Sequence, residues 1–161
     1  MTSKSLELVY KTHTEGKEKV VLLRDFLDKC EGTSFCENVQ GTMEFFYKHI
    51  PLHFAYEEIL MNALLKSNKL TEGEASCIDR IFKEHKTLKT NFEKLNKMSI
   101  EMGNKCNKEQ KEDFLRLVND TVDDLIKHAE YEDQYLYPVS ELKADDVLLS
   151  AIQKEMSKIV Y

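Results

Sequence analysis

Apolar positions recur in steps of three and four residues over four long stretches of the chain, with short polar segments between them. This spacing places the apolar side chains on one face of a helix. The polar breaks fall at 31–34, 67–71 and 103–107, and Ser34, Thr71 and Asn107 each have Glu or Gln three positions later, as at a helix N-terminus. The pattern predicts four long helices over residues 5–30, 35–66, 72–102 and 108–137, with Pro138 at the end of the fourth and a short fifth helix over 145–159.

The stripes also predict how the helices assemble. Each helix has one apolar face, and short breaks join helices of similar length, as in bundles of antiparallel neighbours. We therefore predict an all-α fold, an antiparallel up-down four-helix bundle with a short C-terminal extra helix. A chain of 161 residues has the size of one domain. We expect a single domain over 1–161, with a core at about 8–140 and the C-terminal helix at about 141–160.

Polar residues interrupt all four apolar stripes. A carboxylate inside such a stripe is strongly disfavoured unless a partner compensates its charge. The first and third helices each contribute one histidine, and the second and fourth each contribute a histidine with a glutamate four residues later. The set comprises His13, His53, Glu57, His85, His128 and Glu132.

The heights of these residues can be compared along the chain, because residues equally far from a connecting loop of an up-down bundle lie at the same level. His13 and His53 are equally far from about residue 33, in the first break. Glu57 and His85 are centred on about residue 71, and His85 and His128 on about residue 106. All six residues are therefore predicted to share one layer of the bundle.

Imidazole and carboxylate donors without thiolates suit first-row divalent metals, and such ligand sets project inward in bundle di-metal proteins. We predict that the four histidines are terminal ligands of two metal ions and that Glu57 and Glu132 bridge them. Two imidazoles for each ion leave room for a small molecule such as dioxygen, peroxide or nitric oxide, and iron is the metal whose redox chemistry uses that room. A metal-free polar network and a zinc or manganese site are the alternatives.

The order of a lone histidine, an HxxxE pair, a lone histidine and a second HxxxE pair resembles the hemerythrin-like, or HHE cation-binding, domain over about residues 8–140. The segments HFAYEE at 53–58 and HAEYEDQYLYP at 128–138 are similar to the two signature segments of that family. The resemblance implies a non-haem, carboxylate-bridged di-iron centre with an oxo, hydroxo or water bridge. It assigns the ligand role to His13, His53, Glu57, His85, His128 and Glu132.

The chain departs from the oxygen-carrying hemerythrins, which have a histidine pair four residues apart on the third helix. Here Ile81 and Lys89 occupy those positions around His85. The resemblance is closer to the four-histidine branch that includes iron-sulfur cluster repair proteins, so an iron donor for damaged clusters and an iron- or oxygen-sensing module remain alternative functions. His49 is either a fifth ligand or a residue beside the apolar stripe near Pro51, and we favour the second.

Residues next to the six have weaker signals. Glu58 and Asp133 directly follow the two glutamates and are expected to face solvent or to support the ligands. Glu84 is expected to be a surface charge. Tyr56 and Tyr131 recur at the same place in each HxxxE pair, and we expect them to pack on neighbouring helices.

Charge and composition restrict the partners. A net charge of −6 and a pI near 5.4 argue against a nucleic-acid surface. The chain has no apolar run of about 20 residues and no signal peptide, so we expect no membrane contact and a cytoplasmic location. Its four cysteines show no CxxC spacing and are expected to be ordinary thiols: Cys30, Cys36, Cys77 and Cys106. The predicted partner is a small diatomic ligand or peroxide, and the sequence indicates no particular protein partner.

Overall fold

A computed structural model describes residues 4–31, 33–103, 105 and 107–159, and this part of the chain contains helices and no strand. The predicted all-α class is confirmed. The helices are α1 (Lys4–Lys29), α2 (Thr33–Glu44), a π-helical turn (Phe45–His49), α3 (Ile50–Lys66), α4 (Glu72–Met102), α5 (Lys108–Lys143) and α6 (Asp146–Met156).

Polar side chains begin the helices where the sequence predicts them. The Thr71 hydroxyl accepts from the backbone N–H of Glu74, whose carboxylate accepts from the backbone N–H of Thr71. Asn107 and Gln110 make the same reciprocal pair at the start of α5. Each pair satisfies two amides that the helix itself leaves without acceptors. The side chain of Ser34, the third predicted cap, lies outside the described residues.

Helix α2, the π turn and α3 follow one another without a break, as one long helix that begins two residues before the predicted position 35. In the π turn the backbone N–H of Ile50 donates to the carbonyl of Phe45, five residues earlier. Pro51 follows at once, and a proline ring clashes with the carbonyl four residues before it in a regular helix. The wider turn gives that carbonyl room, so the long helix continues through Pro51.

The prediction that Pro138 ends the fourth helix is wrong. Helix α5 runs on to Lys143, with Pro138 in its interior. Proline removes one helical hydrogen bond, and tertiary packing overrides this local preference here because Leu136, Tyr137 and Ser140 on both sides of it are buried. Steps of four and three from His128 through Glu132 would also place Tyr135 on the buried face, but Leu136 is buried whereas Tyr135 is 42% exposed.

Within the described residues, the apolar core forms two clusters. One includes Phe54 of α3, Phe92 of α4 and Phe114 of α5. The other contains Leu60 and Ile81, and α6 adds Ile152 to it. On α1, α4 and α5 the histidines and Glu132 come between the segments that supply the two clusters. A polar layer therefore separates two apolar regions.

Side-chain contacts define how neighbouring helices are aligned. Between α1 and α5, Arg24 bonds to Asp123 at 2.7 Å and Tyr10 bonds to Glu141 at 3.0 Å. A lower number on α1 thus meets a higher number on α5. No helix in the described ranges is both long enough and apolar enough to cross a membrane.

Candidate metal centre

The six predicted site residues lie together in the polar layer and form two groups. Within each group, one potential ligand atom per residue lies within 4.8 Å of the others, and all of the residues are buried. Glu57 and Glu132 belong to both groups. Group 1 adds His13 and His53, and group 2 adds His85 and His128.

Glu57 turns one oxygen toward each group. Its Oε1 lies 2.9 Å from Nε2 of His53 and 3.7 Å from Nδ1 of His13, both in group 1. Its Oε2 lies 3.4 Å from Nε2 of His85, in group 2. The carboxylate is therefore placed between the two groups.

Glu132 is divided in the same way. Its Oε2 lies 3.5 Å from Nδ1 of His13, in group 1. Its Oε1 lies 2.8 Å from Nε2 of His128 and 3.2 Å from Nε2 of His85, in group 2. Two carboxylates that each offer one oxygen to each group have the arrangement needed to bridge two cations.

Several inward atoms of the layer lack hydrogen-bond partners. Nε2 of His53, Nε2 of His128 and Oε2 of Glu57 are buried and make no hydrogen bond. The short distances from these imidazoles to the carboxylates do not have hydrogen-bond geometry. Buried polar atoms without partners are costly, and a bound cation would give all three a partner. The nitrogen and oxygen donors present fit a pair of first-row divalent ions.

The outward nitrogen of His13 has a carboxylate partner. Its Nε2 lies 2.9 Å from Oδ1 of Asp133, and the ammonium group of Lys17 donates to Oδ2 of the same carboxylate at 2.6 Å. This contact leaves Nδ1 of His13 for the centre of the layer. Asp133 therefore supports a site residue, the second of the two roles expected for it.

Both histidines of group 2 have the same kind of support. Nδ1 of His85 lies 3.1 Å from Glu58, which accepts from Lys89 at 2.8 Å. Glu58 thus also takes the supporting role, and Nε2 of His85 faces the layer.

The expectation that Glu84 is only a surface charge is wrong. Its carboxylate lies 2.8 Å from Nδ1 of His128 and accepts from Arg80 at 2.7 Å. Arg80 in turn stacks over the ring of Tyr131, 3.8 Å from its centre. The sequence gives a signal for this contact. Glu84 and His128 are equally far from residue 106, in the third break, so Glu84 is expected within one residue of the level of His85.

His53 differs from the other three histidines because its outward partner is a hydroxyl. Its Nδ1 lies 2.8 Å from the hydroxyl oxygen of Thr12, and that hydroxyl donates to the backbone carbonyls of Leu8 and Val9. The hydroxyl of Thr12 is thus shared between these carbonyls and Nδ1 of His53. Nε2 of His53 faces Glu57 in the layer and is the nitrogen placed for a metal.

The charges of the layer shift the pKa values of its histidines and of Glu57. Burial alone would lower the pKa of His85 and of His128, but the neighbouring carboxylates outweigh burial and raise these pKa values to about 10 and about 9. For His13 burial dominates, and its pKa is lowered. Burial would raise the pKa of Glu57, but the imidazoles of His53 and His85 hold it well below its usual value.

Tyr137 is part of the layer, and sequence reasoning missed it. Its hydroxyl donates to Oε1 of Glu57 at 2.5 Å, and its ring contacts the rings of His13 and Tyr10 edge-on. Burial and the nearby Glu57 raise the pKa of Tyr137 well above its usual value. The available signal was its position one helical turn after Asp133.

A cavity of about 100 Å³ lies beside the layer, between α1, the π turn, α3 and α5. The residues that line it include His13, His53 and His128 of the layer, together with Gly16 and His49. Apart from the adjacent backbone of α1, no heavy atom of the described residues lies within 4 Å of the place where a Cβ on Gly16 would be. The cavity gives a small molecule a place beside both groups.

The neighbouring residues that the sequence left open can now be placed. His49 is exposed and belongs to neither group, in agreement with the reading that it lies beside the stripe. Tyr56 is buried in an apolar cluster, as expected for a packing residue. No disulfide joins Cys30, Cys36 or Cys77, and Cys106 lies outside the described residues.

The helices and the buried histidine and glutamate groups define this chain as an all-helical protein with a candidate metal-binding layer. The family model of the hemerythrin HHE cation-binding domain matches residues 76–160, which include His85, His128 and Glu132. The chain belongs to this family. Searches of the curated proteins and of the solved structures gave no significant match.

Proposed function

We propose that this chain is a non-haem di-iron protein that binds or reacts with dioxygen, peroxide or nitric oxide. The observation that carries the proposal is the division of Glu57 and Glu132, each of which directs one oxygen to group 1 and the other to group 2. The ligands we assign are His13 and His53 for one ion, His85 and His128 for the other, and the two carboxylates as bridges.

We place the centre in an antiparallel up-down four-helix bundle that forms a single domain with α6. Contacts between α1 and α5 and between α4 and α5 support this arrangement. In each pair of helices, residues with higher numbers on one helix contact residues with lower numbers on the other, as in antiparallel neighbours. On α4 and α5, Glu74 pairs with Lys143 at 3.6 Å, whereas Glu84 pairs with His128 at 2.8 Å. The fixed register is what brings residues of four helices to one level.

The ligand count supports a reactive rather than a closed centre. Each group offers two imidazoles and two shared carboxylates, fewer donors than an octahedral iron accepts. Iron bound there would supply redox chemistry toward oxygen, peroxide or nitric oxide. The residues of this chain hold the imidazoles through Asp133, Glu58, Glu84 and Thr12, orient Glu57 through Tyr137, and leave a cavity beside the centre.

The test is to load the metal-free full chain with ferrous iron under anaerobic conditions, remove excess metal and count the iron bound. We expect two irons per chain, and new charge-transfer absorption in the near ultraviolet when oxygen, peroxide or nitric oxide is added. His53→Ala is expected to lower the iron content, and the matched variant His49→Ala is expected to retain two irons. Far fewer than two irons in the wild type, or no new absorption with any of the three molecules, would refute the proposal.

A second candidate, an iron-sensing module, is favoured by the position of the layer between the two apolar clusters. Without a cation, the unsatisfied atoms of His53, Glu57 and His128 remain buried at that boundary. Loss of iron would then destabilise the middle of the protein, where a partner could detect it. This candidate predicts much faster proteolysis of the metal-free chain and slow or absent turnover of peroxide.

An iron donor would instead transfer its iron to an apo-protein when the two are mixed.

A further inference from the structure

We propose that the two groups bind metal unequally: group 2 takes the first ion, and group 1 takes the second ion weakly and releases it first, with Thr12 as the residue that sets the difference. This inference rests on the proposed two-metal centre and concerns how that centre is filled and emptied.

The first argument is the difference in outward partners. Both histidines of group 2 contact a carboxylate, Glu58 or Glu84. In group 1 only His13 does, because His53 contacts the neutral hydroxyl of Thr12. A carboxylate that accepts the outward N–H of an imidazole makes it a stronger donor to the metal once the inward nitrogen is deprotonated. A hydroxyl carries no full charge and does this less well.

The second argument concerns the bridging carboxylate. The Glu57 oxygen that faces group 1 accepts the hydrogen of Tyr137, whereas the oxygen that faces group 2 makes no hydrogen bond. An oxygen that already accepts a phenolic hydrogen has less electron density for a cation. Tyr137 therefore makes the Glu57 oxygen that faces group 1 a weaker metal ligand, whereas the oxygen that faces group 2 is not affected in this way.

The third argument is access. In group 2, His85 is fully buried and His128 is 4% exposed, whereas His13 and His53 of group 1 are 6% and 8% exposed. The cavity that Gly16 lines borders both histidines of group 1. In group 2 it borders His128 but not His85. An ion in group 1 therefore has the shorter route to solvent and to small chelators.

The experiment titrates metal-free full chain with Co²⁺, follows the visible absorption of the bound ion and counts the ions by calorimetry. The wild type is expected to bind in two steps, the second about 10- to 100-fold weaker, the range typical of changes in outward partners. Thr12→Val should weaken only the second step, and Thr12→Asp, which supplies the missing carboxylate, should strengthen only that step about tenfold.

One further variant identifies the positions independently. Glu84→Gln removes a carboxylate partner from group 2 and should weaken only the first step. Thr90→Val and Thr90→Asp are the matched controls, because Thr90 makes the same hydroxyl contact with the carbonyl four residues earlier but is exposed. Neither control should change either step.

The outcomes separate this inference from the proposed function. Binding of two ions with equal affinity, or a Thr12 variant that changes the first step, would overturn the inference and leave the two-metal centre intact. Binding of fewer than two ions by the wild type would overturn both. If Thr12→Val fails to fold, Thr12→Asp and Glu84→Gln still decide which step belongs to which group.

Discussion

Tyr137 donates its hydroxyl hydrogen to Oε1 of Glu57 at 2.5 Å, across 80 positions of sequence. The acceptor is a buried carboxylate, and its contact with the phenol is one of the few that hold it in place within the layer. The interaction links α5 to α3 at the level of the proposed bridge. Loss of this hydrogen bond should lower the stability of the fold and change the geometry of the centre.

We expect Tyr137→Phe to destabilise the metal-free protein by about 2 kcal/mol, the scale of a hydrogen bond to a charged group. The measurement is urea unfolding, with the chelated wild type as reference. Tyr135→Phe is the control, because Tyr135 lies two residues away on the same helix and is 42% exposed. Its effect should stay within about 0.5 kcal/mol. Equal effects of the two variants would show that the Tyr137 contact contributes little.

Metal binding should stabilise the fold. A ligand at about a thousand times its dissociation constant adds about 4 kcal/mol to the free energy of unfolding. Zn²⁺, which adds no redox chemistry, should therefore raise the thermal midpoint of the metal-free chain. Glu132→Gln should weaken binding at least tenfold and reduce the gain by about 1.4 kcal/mol or more. Glu130→Gln, an exposed position on the same helix, should keep the full gain. An equal gain in the two variants would argue against Glu132 as a ligand.

The stability of the metal-free chain should fall as the solution becomes alkaline. The pKa values of His85 and His128 are about 10 and about 9 in the folded chain, against about 6.5 in an unfolded one. The folded state therefore binds more protons above about pH 6.5, and the stability from these two histidines is lost as pH rises through about 9 to 10.

Thermal unfolding in the presence of a chelator, from neutral to alkaline pH, tests this expectation. His128→Gln should make the decline shallower, and His49→Gln, outside both groups, should leave it unchanged. A wild-type midpoint that rises over the same interval would contradict the expectation.

Replacement of the interior proline should stabilise α5. Pro138→Ala restores a backbone N–H that can donate to the carbonyl of Gln134, and proline inside a helix costs about 3 kcal/mol relative to alanine. We expect a gain of about 1–3 kcal/mol in chemical unfolding. Gln134→Ala, an exposed change on the same helix, should stay within about 0.5 kcal/mol. A loss of stability in Pro138→Ala would show that the proline geometry is needed to seat Tyr137.

The sequence was sufficient to predict the helices and the convergence of the six residues. Apolar periodicity carries that information, because a helix buries one face, and capping pairs such as Thr71 with Glu74 mark where a helix begins. Local signals failed at Pro138, where burial of the neighbouring side chains outweighs the preference of one residue. The role of these six residues as metal ligands stays a prediction.

The supporting contacts were harder to predict, because they depend on the rotation of one helix against another. Glu84 and Thr12 look like ordinary surface positions until α4 faces α5 and α1 faces α3. Tyr137 belongs to an apolar cluster, and the pattern of its own helix does not show that its hydroxyl reaches Glu57 on α3. Such contacts require coordinates of several helices at once.

The polar layer lies between two apolar clusters. Helices α1, α3, α4 and α5 contribute side chains to both clusters and therefore pass through the layer. Each cluster can hold its own end of the protein together by the burial of side chains such as Phe92 or Leu60. What joins the ends is the continuity of the helices and whatever neutralises the plane between them. We therefore expect the occupancy of the layer to influence the cooperativity of unfolding, because compensated charges couple the two ends more strongly than uncompensated ones.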